Sequence, residues 1–175
     1  MKLTATILAA VCFLLAASFA AGQMPAPAPE LKKVDYFAGT WSFEGDMKPG
    51  PMGPGGKVTG TNQSSWMEGG FFLVGHSEFH GPMGDAKGLA VFGYDSASKT
   101  YTYNEFNSMG ENNVSTGVLE GDTWTWNSTE KMGSTVLKSR FTIKQLSPTA
   151  YTFKFEMAPE GAEMATVMEG KATKK

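Results

Sequence analysis

Cysteine, arginine and histidine are scarce in this sequence. Cys12 is the only cysteine, Arg140 is the only arginine, and the two histidines are His76 and His80. A chain whose single cysteine lies near its N-terminus cannot hold its domain together with disulfides or use a cysteine nucleophile there. One arginine is also too few for the arginine clamps that bind phosphate groups. The domain must therefore be stabilised by its packed core.

The N-terminus has the layout of a secretory signal peptide. Lys2 supplies a positive charge, residues 7–17 form a short apolar run, and small residues provide cleavage points after Ala20 or Gly22. The apolar run is too short for a membrane span. We therefore expect residues 1–22 to be removed, and the mature protein to be periplasmic or extracellular.

The rest of the chain reads as a linker followed by one domain. Residues 23–30 alternate proline with small residues, which is typical of a stiff, extended spacer, and residues 31–175 contain no long repeat. The net charge of −2 is mildly acidic, which argues against nucleic acid or an anionic membrane surface as a partner. Motifs for a nucleophile elbow or a phosphate-binding loop are also absent from the sequence.

Beyond residue 38 the apolar side chains recur with a period of two, which predicts antiparallel strands with one buried face. Turn-forming clusters divide the pattern into ten predicted strands. The predicted spans are 39–47, 57–67, 71–80, 88–94, 100–107, 112–119, 123–129, 135–145, 150–157 and 164–172. Short strands joined by tight turns favour an up-and-down barrel, with a β-sandwich as the alternative and a short helical turn before the first strand.

Several motifs resemble those of a known family. Gly39-Thr40-Trp41 opens the first strand as in lipocalin-like (calycin) barrels, and Asn107-Ser108-Met109-Gly110 follows the fifth. Together with Gly81-Pro82-Met83-Gly84, Gly93-Tyr94-Asp95 and Met168-Glu169, they resemble the bacterial domain of unknown function 1579. The resemblance implies a calycin-like barrel with Trp41 as a structural plug at one end, and it implies no activity. It also leads us to expect a C-terminal arginine packed on Trp41, where this sequence offers only lysines.

His76, Glu78 and His80 alternate along one predicted strand and therefore share a face. Imidazole and carboxylate groups both suit zinc, so these residues are candidate metal ligands. The alternative places all three in solvent, because the opposite face is more apolar. Nitrobindins, barrels of this general type, bind haem through a histidine near the C-terminus. No histidine follows His80, so haem is not expected as a cofactor.

Three glutamates, Glu44, Glu78 and Glu105, lie on predicted strands and could perform acid–base chemistry. Nothing in the sequence brings two of them together, and glutamates on strands are usually solvated. We therefore expect no catalytic residue among them and keep a lipocalin-like isomerase as an alternative function.

Two sets of residues are candidates for binding a small apolar or amphipathic ligand. The first set is aromatic and could line an inner wall: Tyr101, Tyr103, Trp124, Trp126, Phe153 and Phe155. The second set is Met52, Met83, Met109 and Met132, each followed by glycine in a loop after an odd-numbered strand. In an up-and-down barrel these loops share one rim, which predicts a methionine-rich mouth with His80 nearby, and soft sulfur ligands would also suit Cu(I). The alternatives are a barrel filled by its own side chains and an interaction module for an envelope protein.

Overall fold

The computed structural model describes residues 26–50, 53–132 and 134–175, and this part contains ten antiparallel strands. They are β1 (Gly39–Met47), β2 (Gly56–Trp66), β3 (Leu73–Gly81), β4 (Gly84–Asp95), β5 (Thr100–Asn107), β6 (Asn112–Glu120), β7 (Thr123–Met132), β8 (Thr135–Ser147), β9 (Ala150–Pro159) and β10 (Ala165–Lys174). Each strand pairs with the next, and β10 pairs with β1 to close the sheet. The predicted up-and-down barrel is confirmed, and the β-sandwich alternative is wrong.

The period-two alternation decides which side chains enter the interior of the barrel, which we call the lumen. On β9, Phe153 is buried whereas Thr152 and Lys154 on either side of it are exposed. Phe153 is paired with Ile143 of β8, which is paired with Trp124 of β7, and all three are buried. Apolar side chains at matching positions therefore form continuous rows across the inner face of the sheet.

A short cap precedes the first strand. It consists of α1 (Leu31–Val34) and one 3₁₀ turn (Asp35–Phe37), as the sequence predicted for this segment. Leu31, Val34 and Phe37 are buried against the aromatic residues at one end of the barrel. We call this the capped end. No helix in the described ranges is long and apolar enough to cross a membrane.

Hydrogen bonds fasten the cap to strands on both sides of the capped end. The Nε1 atom of Trp66 at the end of β2 donates to Oδ1 of Asp35, with a separation of 2.7 Å. The hydroxyl of Tyr36 lies 3.0 and 2.9 Å from the carbonyl oxygens of Ser147 and Ala150, which share its one hydrogen in a bifurcated bond. The cap is thus tied to β2 and to the β8–β9 turn.

The hairpin between β3 and β4 differs from the sequence prediction. We expected a loop over residues 81–87, but β3 ends at Gly81 and β4 begins at Gly84, so only two residues form the turn. Gly84 adopts a φ of +107°, which is readily accessible only to glycine and permits this tight reversal. The glycines of this segment, which suggested a loop, therefore lie in the two strands, on either side of the tight turn. Strands β7, β8 and β9 also extend slightly further than predicted.

The antiparallel order of the strands sorts the loops between the two ends of the barrel. Loops that follow β2, β4, β6 and β8 lie at the capped end, and loops that follow odd-numbered strands lie at the opposite end, which we call the mouth. The cap and the loops after odd-numbered strands therefore lie at opposite ends of the lumen.

Candidate functional site

The floor of the lumen is a cluster of aromatic rings packed against the cap. Phe37 of the cap stacks on Phe92 with ring centroids 5.4 Å apart, and it lies equally far from Trp124. Trp124 is stacked on Trp126 at 5.6 Å and contacts Tyr101 edge-on at 4.7 Å. These contacts close the capped end with protein side chains.

All six aromatic residues predicted to line a wall face the lumen, but their surroundings differ. Four of them are buried among other protein groups: Tyr101, Trp124, Trp126 and Phe153. Tyr103 and Phe155 lie nearer the mouth and are only partly buried. Contact with a ligand stays a prediction for the whole set, and it is most direct for these last two.

Trp41 lies at the capped end, where the sequence predicted a plug. Only 2% of the residue is exposed, and its ring centroid lies 4.8 Å from that of Tyr151 and 5.2 Å from that of Tyr36. Lys174 places its Nζ atom 5.6 Å from the centre of the Trp41 ring. A lysine thus occupies the position at which the family resemblance led us to expect an arginine.

The histidines predicted as metal ligands lie on the outer face of β3. Glu78 forms an ion pair with Lys87 at 3.1 Å, and Nδ1 of His80 lies 2.9 Å from a carboxylate oxygen of Asp85. No three histidine, cysteine, aspartate or glutamate side chains within the described ranges are close enough together to hold a metal. His76 shares the outer face, so the arrangement corresponds to the solvent-facing alternative.

The structure places the methionine-containing loops that it describes at the mouth. Met83 lies in the β3–β4 turn, and Met109, which is 48% exposed, lies in the loop after β5. A Cβ atom built on Gly53 would lie 3.4 Å from Cγ of Met83, so the loops after β1 and β3 are in contact. Met52 lies outside the described residues, and Met132 ends β7 with a side chain that is not described.

The lumen also contains buried hydroxyl groups that the sequence analysis did not single out. They belong to Ser64, Ser115, Ser128 and Ser139. The Oγ atoms of Ser128 and Ser139 are hydrogen-bonded to each other across β7 and β8 at 2.6 Å. This part of the lumen is polar, in contrast to the aromatic floor, and we call it the upper wall.

Glu105 is the clearest departure from the sequence expectation. It was expected in solvent, but its side chain faces the lumen, and Oε2 accepts a 2.8 Å hydrogen bond from the hydroxyl of Tyr103. The signal was available, because Glu105 has the same strand parity as Tyr101 and Tyr103, which were predicted to face inward. The inward orientation of Glu105 was missed because glutamates on strands were assumed to be solvated. Glu44 and Glu78 are exposed on the outer face, as expected.

Burial dominates the electrostatics of this carboxyl group. It raises the pKa of Glu105, an effect that the hydrogen bond from Tyr103 partly offsets. Burial also raises the pKa of the Tyr103 hydroxyl well above its usual value, so this group stays a neutral donor. A Cβ atom at Gly88 would lie 2.5 Å from Oγ of Ser77 and 3.3 Å from Oε1 of Glu105, so a glycine lets both polar atoms rest against the sheet.

An open groove on the outer wall is a weaker candidate site. It runs across β1 and β10 onto the neighbouring strands, and it contains two exposed ion pairs. Lys57 lies 2.8 Å from Asp46, and Lys171 lies 3.0 Å from Glu44. The groove is open and its ion pairs are exposed, whereas the lumen contains the Tyr103–Glu105 pair, so the lumen is the better candidate.

The fold and the lumen together define a capped, closed antiparallel β-barrel with an aromatic floor and a polar upper wall. Within this class, the chain belongs to the family described as "Protein of unknown function (DUF1579)", whose model matches residues 26–174. This confirms the family that the sequence motifs resemble. None of the curated proteins compared with the sequence matches it.

Solved structures share the fold at low sequence identity. The crystal structure of Rv2717c from M. tuberculosis is similar with a TM-score of 0.59 and 13% identity, over 85% of this chain and 99% of the other. The S-type phycobiliprotein lyase CPES from Guillardia theta is similar with a TM-score of 0.51 and 10% identity, over 81% of this chain and 89% of the other. At these identities the similarity extends to the fold alone.

Proposed function

We propose that this protein is an exported barrel that takes a small amphipathic ligand into its lumen through the mouth. The ligand's apolar part would contact the aromatic side chains nearest the mouth, such as Phe155, and its polar part would contact the hydrogen-bonding groups of the upper wall. The signal peptide features of residues 1–22 support export. The similarity of the fold to a protein named a phycobiliprotein lyase supports a role in ligand binding.

The observation that carries this proposal is the Tyr103–Glu105 pair in the lumen. A barrel that only needed to fill its core would gain stability from apolar side chains at these positions, because a buried carboxyl group without a cationic partner is costly. Instead, the chain keeps an ionisable group with a raised pKa beside the hydroxyl of Tyr103. Groups that cost stability in a concave interior are typical of binding sites.

Native mass spectrometry of gently purified mature protein tests the proposal directly. We expect a mass above that of the cleaved chain, released on denaturation, which would report a bound molecule. Uptake of the neutral apolar probe N-phenyl-1-naphthylamine by ligand-free protein is the second expected result. Protein that carries no additional mass and takes up no probe would show that the barrel is a filled core.

A pair of neighbouring substitutions on β6 locates the uptake. Ser115 is buried in the lumen, whereas Thr116 is exposed on the outer face. Ser115→Leu should fill part of the lumen and abolish probe uptake, and Thr116→Leu should leave it unchanged. Equal losses in the two variants would place the probe on the outer surface.

We further propose that the methionine-rich mouth admits the ligand. Methionine is flexible and polarisable, which suits a surface that accommodates varied apolar molecules. The expected result is that simultaneous Met→Ser changes at positions 52, 83, 109 and 132 slow probe uptake. Changes at Ser96 and Ser98, in the capped-end loop after β4, should not. Identical uptake rates in the two variants would mean that these methionines do not line the entrance.

A further inference from the structure

Three polar pairs in the lumen share one geometry. The hydroxyl of Ser64 donates to Oδ1 of Asn62 at 2.9 Å, and the hydroxyl of Ser115 donates to Oδ1 of Asn113, also at 2.9 Å. The Tyr103–Glu105 pair described above is the third. In each pair the two residues are two positions apart on one strand and therefore face the lumen together.

The direction of the strands gives the three pairs a common orientation. Strands β2 and β6 run from the mouth to the capped end, so Asn62 and Asn113 lie on the mouth side of their serines. Strand β5 runs the opposite way, so Glu105 lies on the mouth side of Tyr103. In every pair a deeper hydroxyl therefore fixes a larger polar side chain nearer the mouth. We call Asn62, Glu105 and Asn113 the polar belt.

The register of the sheet places Glu105 and Asn113 side by side, with the β2 pair three strands away from Glu105. Glu105 is directly paired with Asn113 of β6, and on its other side with Ala90 of β4. Ala90 is paired with Gly75, which is paired with Ser64 of β2. The row between Glu105 and Ser64 consists of small residues, so no large side chain separates the carboxyl group from the β2 pair.

The hydrogen bonds within the pairs determine what the belt offers to a ligand. Each asparagine has its amide oxygen engaged by a serine, which leaves its NH₂ group as a donor. Glu105 has Oε2 engaged by Tyr103, which leaves Oε1 as an acceptor beside Ser77. Within the described residues, Glu105 forms no ion pair with a lysine, arginine or histidine. The inward-facing Lys174 is held over Trp41 at the capped end.

Resting on the ligand-binding function proposed above, we propose that the polar belt selects amphipathic ligands whose head group is a protonated amine, received by Glu105. An ammonium group would donate a hydrogen bond to Oε1 and would be a cationic partner for the Glu105 carboxylate, which has none among the described residues. A ligand with a carboxylate head would instead bring a second negative charge beside Glu105 in a poorly solvated space, which is unfavourable. The apolar tail would lie against the phenylalanine rings of the same lumen, among which Phe43 is 6.2 Å from Phe153.

Competition among three ligands of equal chain length tests this selectivity. Decylamine, decanol and decanoate would each be titrated against bound N-phenyl-1-naphthylamine at neutral pH. Decylamine should displace the probe at the lowest concentration and decanoate at the highest. Because a hydrogen bond to a charged group contributes about 1.5–3 kcal/mol, Glu105→Gln should weaken decylamine binding by roughly tenfold or more while decanol binding changes little.

The matched control is Glu78→Gln, the same change on the outer face of β3, which should leave all three affinities unaltered. If the wild-type protein binds the probe but decanoate competes as well as decylamine, the head-group assignment is overturned while lumen binding stands. If the wild-type protein takes up no probe, the ligand-binding function itself fails. The ranking of the three ligands by wild-type protein does not depend on how well any variant folds.

Discussion

Removing the Trp41 side chain should destabilise the barrel strongly. The residue is 2% exposed and packs between Tyr36 of the cap and Tyr151 of β9, so Trp41→Ala would leave a cavity that these rings cannot readily fill. Substitutions of this kind cost about 3–5 kcal/mol. At roughly 2–4 °C per kcal/mol for a domain of this size, the melting temperature should fall by about 6–20 °C. Thermal unfolding followed by circular dichroism measures this fall.

Two further variants separate the contributions at this site. Trp41→Phe should cost less than Trp41→Ala, because it keeps a ring and removes an indole Nε1 that is buried without a hydrogen-bond partner among the described residues. Lys174→Met keeps the aliphatic stem and removes the charge over the ring, at a cost of about 0.5–1 kcal/mol. Glu44→Ala, on the outer face of β1, is the matched control. A melting temperature for Trp41→Ala equal to that of the control would refute the reasoning.

Three other outcomes are expected. Burial raises the pKa of Glu105 in the folded state above its value in the unfolded state. Between these two pKa values the folded state binds more protons, so the free energy of unfolding falls as the pH rises. Urea denaturation should therefore find Glu105→Gln more stable than wild type at neutral pH, with the difference shrinking towards acidic pH. Gly45→Ala would press a methyl group against the backbone carbonyl oxygen of Glu169 on β10 and should cost about 1–3 kcal/mol, whereas Gly50→Ala, with nothing within 4 Å, should be neutral. N-terminal sequencing of the exported protein should begin at Ala21 or Gln23, and an uncleaved chain in the envelope fraction would contradict the signal peptide assignment.

The fold was accessible from sequence because a period of two is a strong signal when the outer face is wet. Thr152 and Lys154 around Phe153 mark both faces of β9 without reference to any other strand. Closure of the barrel was a weaker prediction, because it requires β10 to pair with β1, and no local sequence pattern indicates that pairing. The Gly-Thr-Trp motif and the family resemblance supplied what the alternation did not.

The polar belt was less accessible, for a different physical reason. Strand parity alone predicts that Glu105 faces inward, but the hydrogen bond from Tyr103 depends on side-chain rotamers. The pairing of Glu105 with Asn113 depends on the register between β5 and β6, which the turn geometry sets. Composition is also a poor guide here, since serine, asparagine and glutamate on a strand are usually read as an outer face.

The pairing of β1 with β10 means that the barrel can close only after the last strand has been synthesised. Lys174 is paired with Trp41, and the backbone N–H of Lys175 donates to the carbonyl oxygen of Thr40 at 2.8 Å. These contacts join residues at opposite ends of the barrel sequence, so the ring cannot close until β10 has emerged, and such distant pairings form slowly. If the chain is exported, its barrel would therefore stay unclosed during passage across the membrane, and the lumen would form only after β10 had crossed. Because β1 and β10 are neighbours, the barrel should tolerate circular permutation: its first and last residues can be linked and new termini made at another turn without loss of the fold.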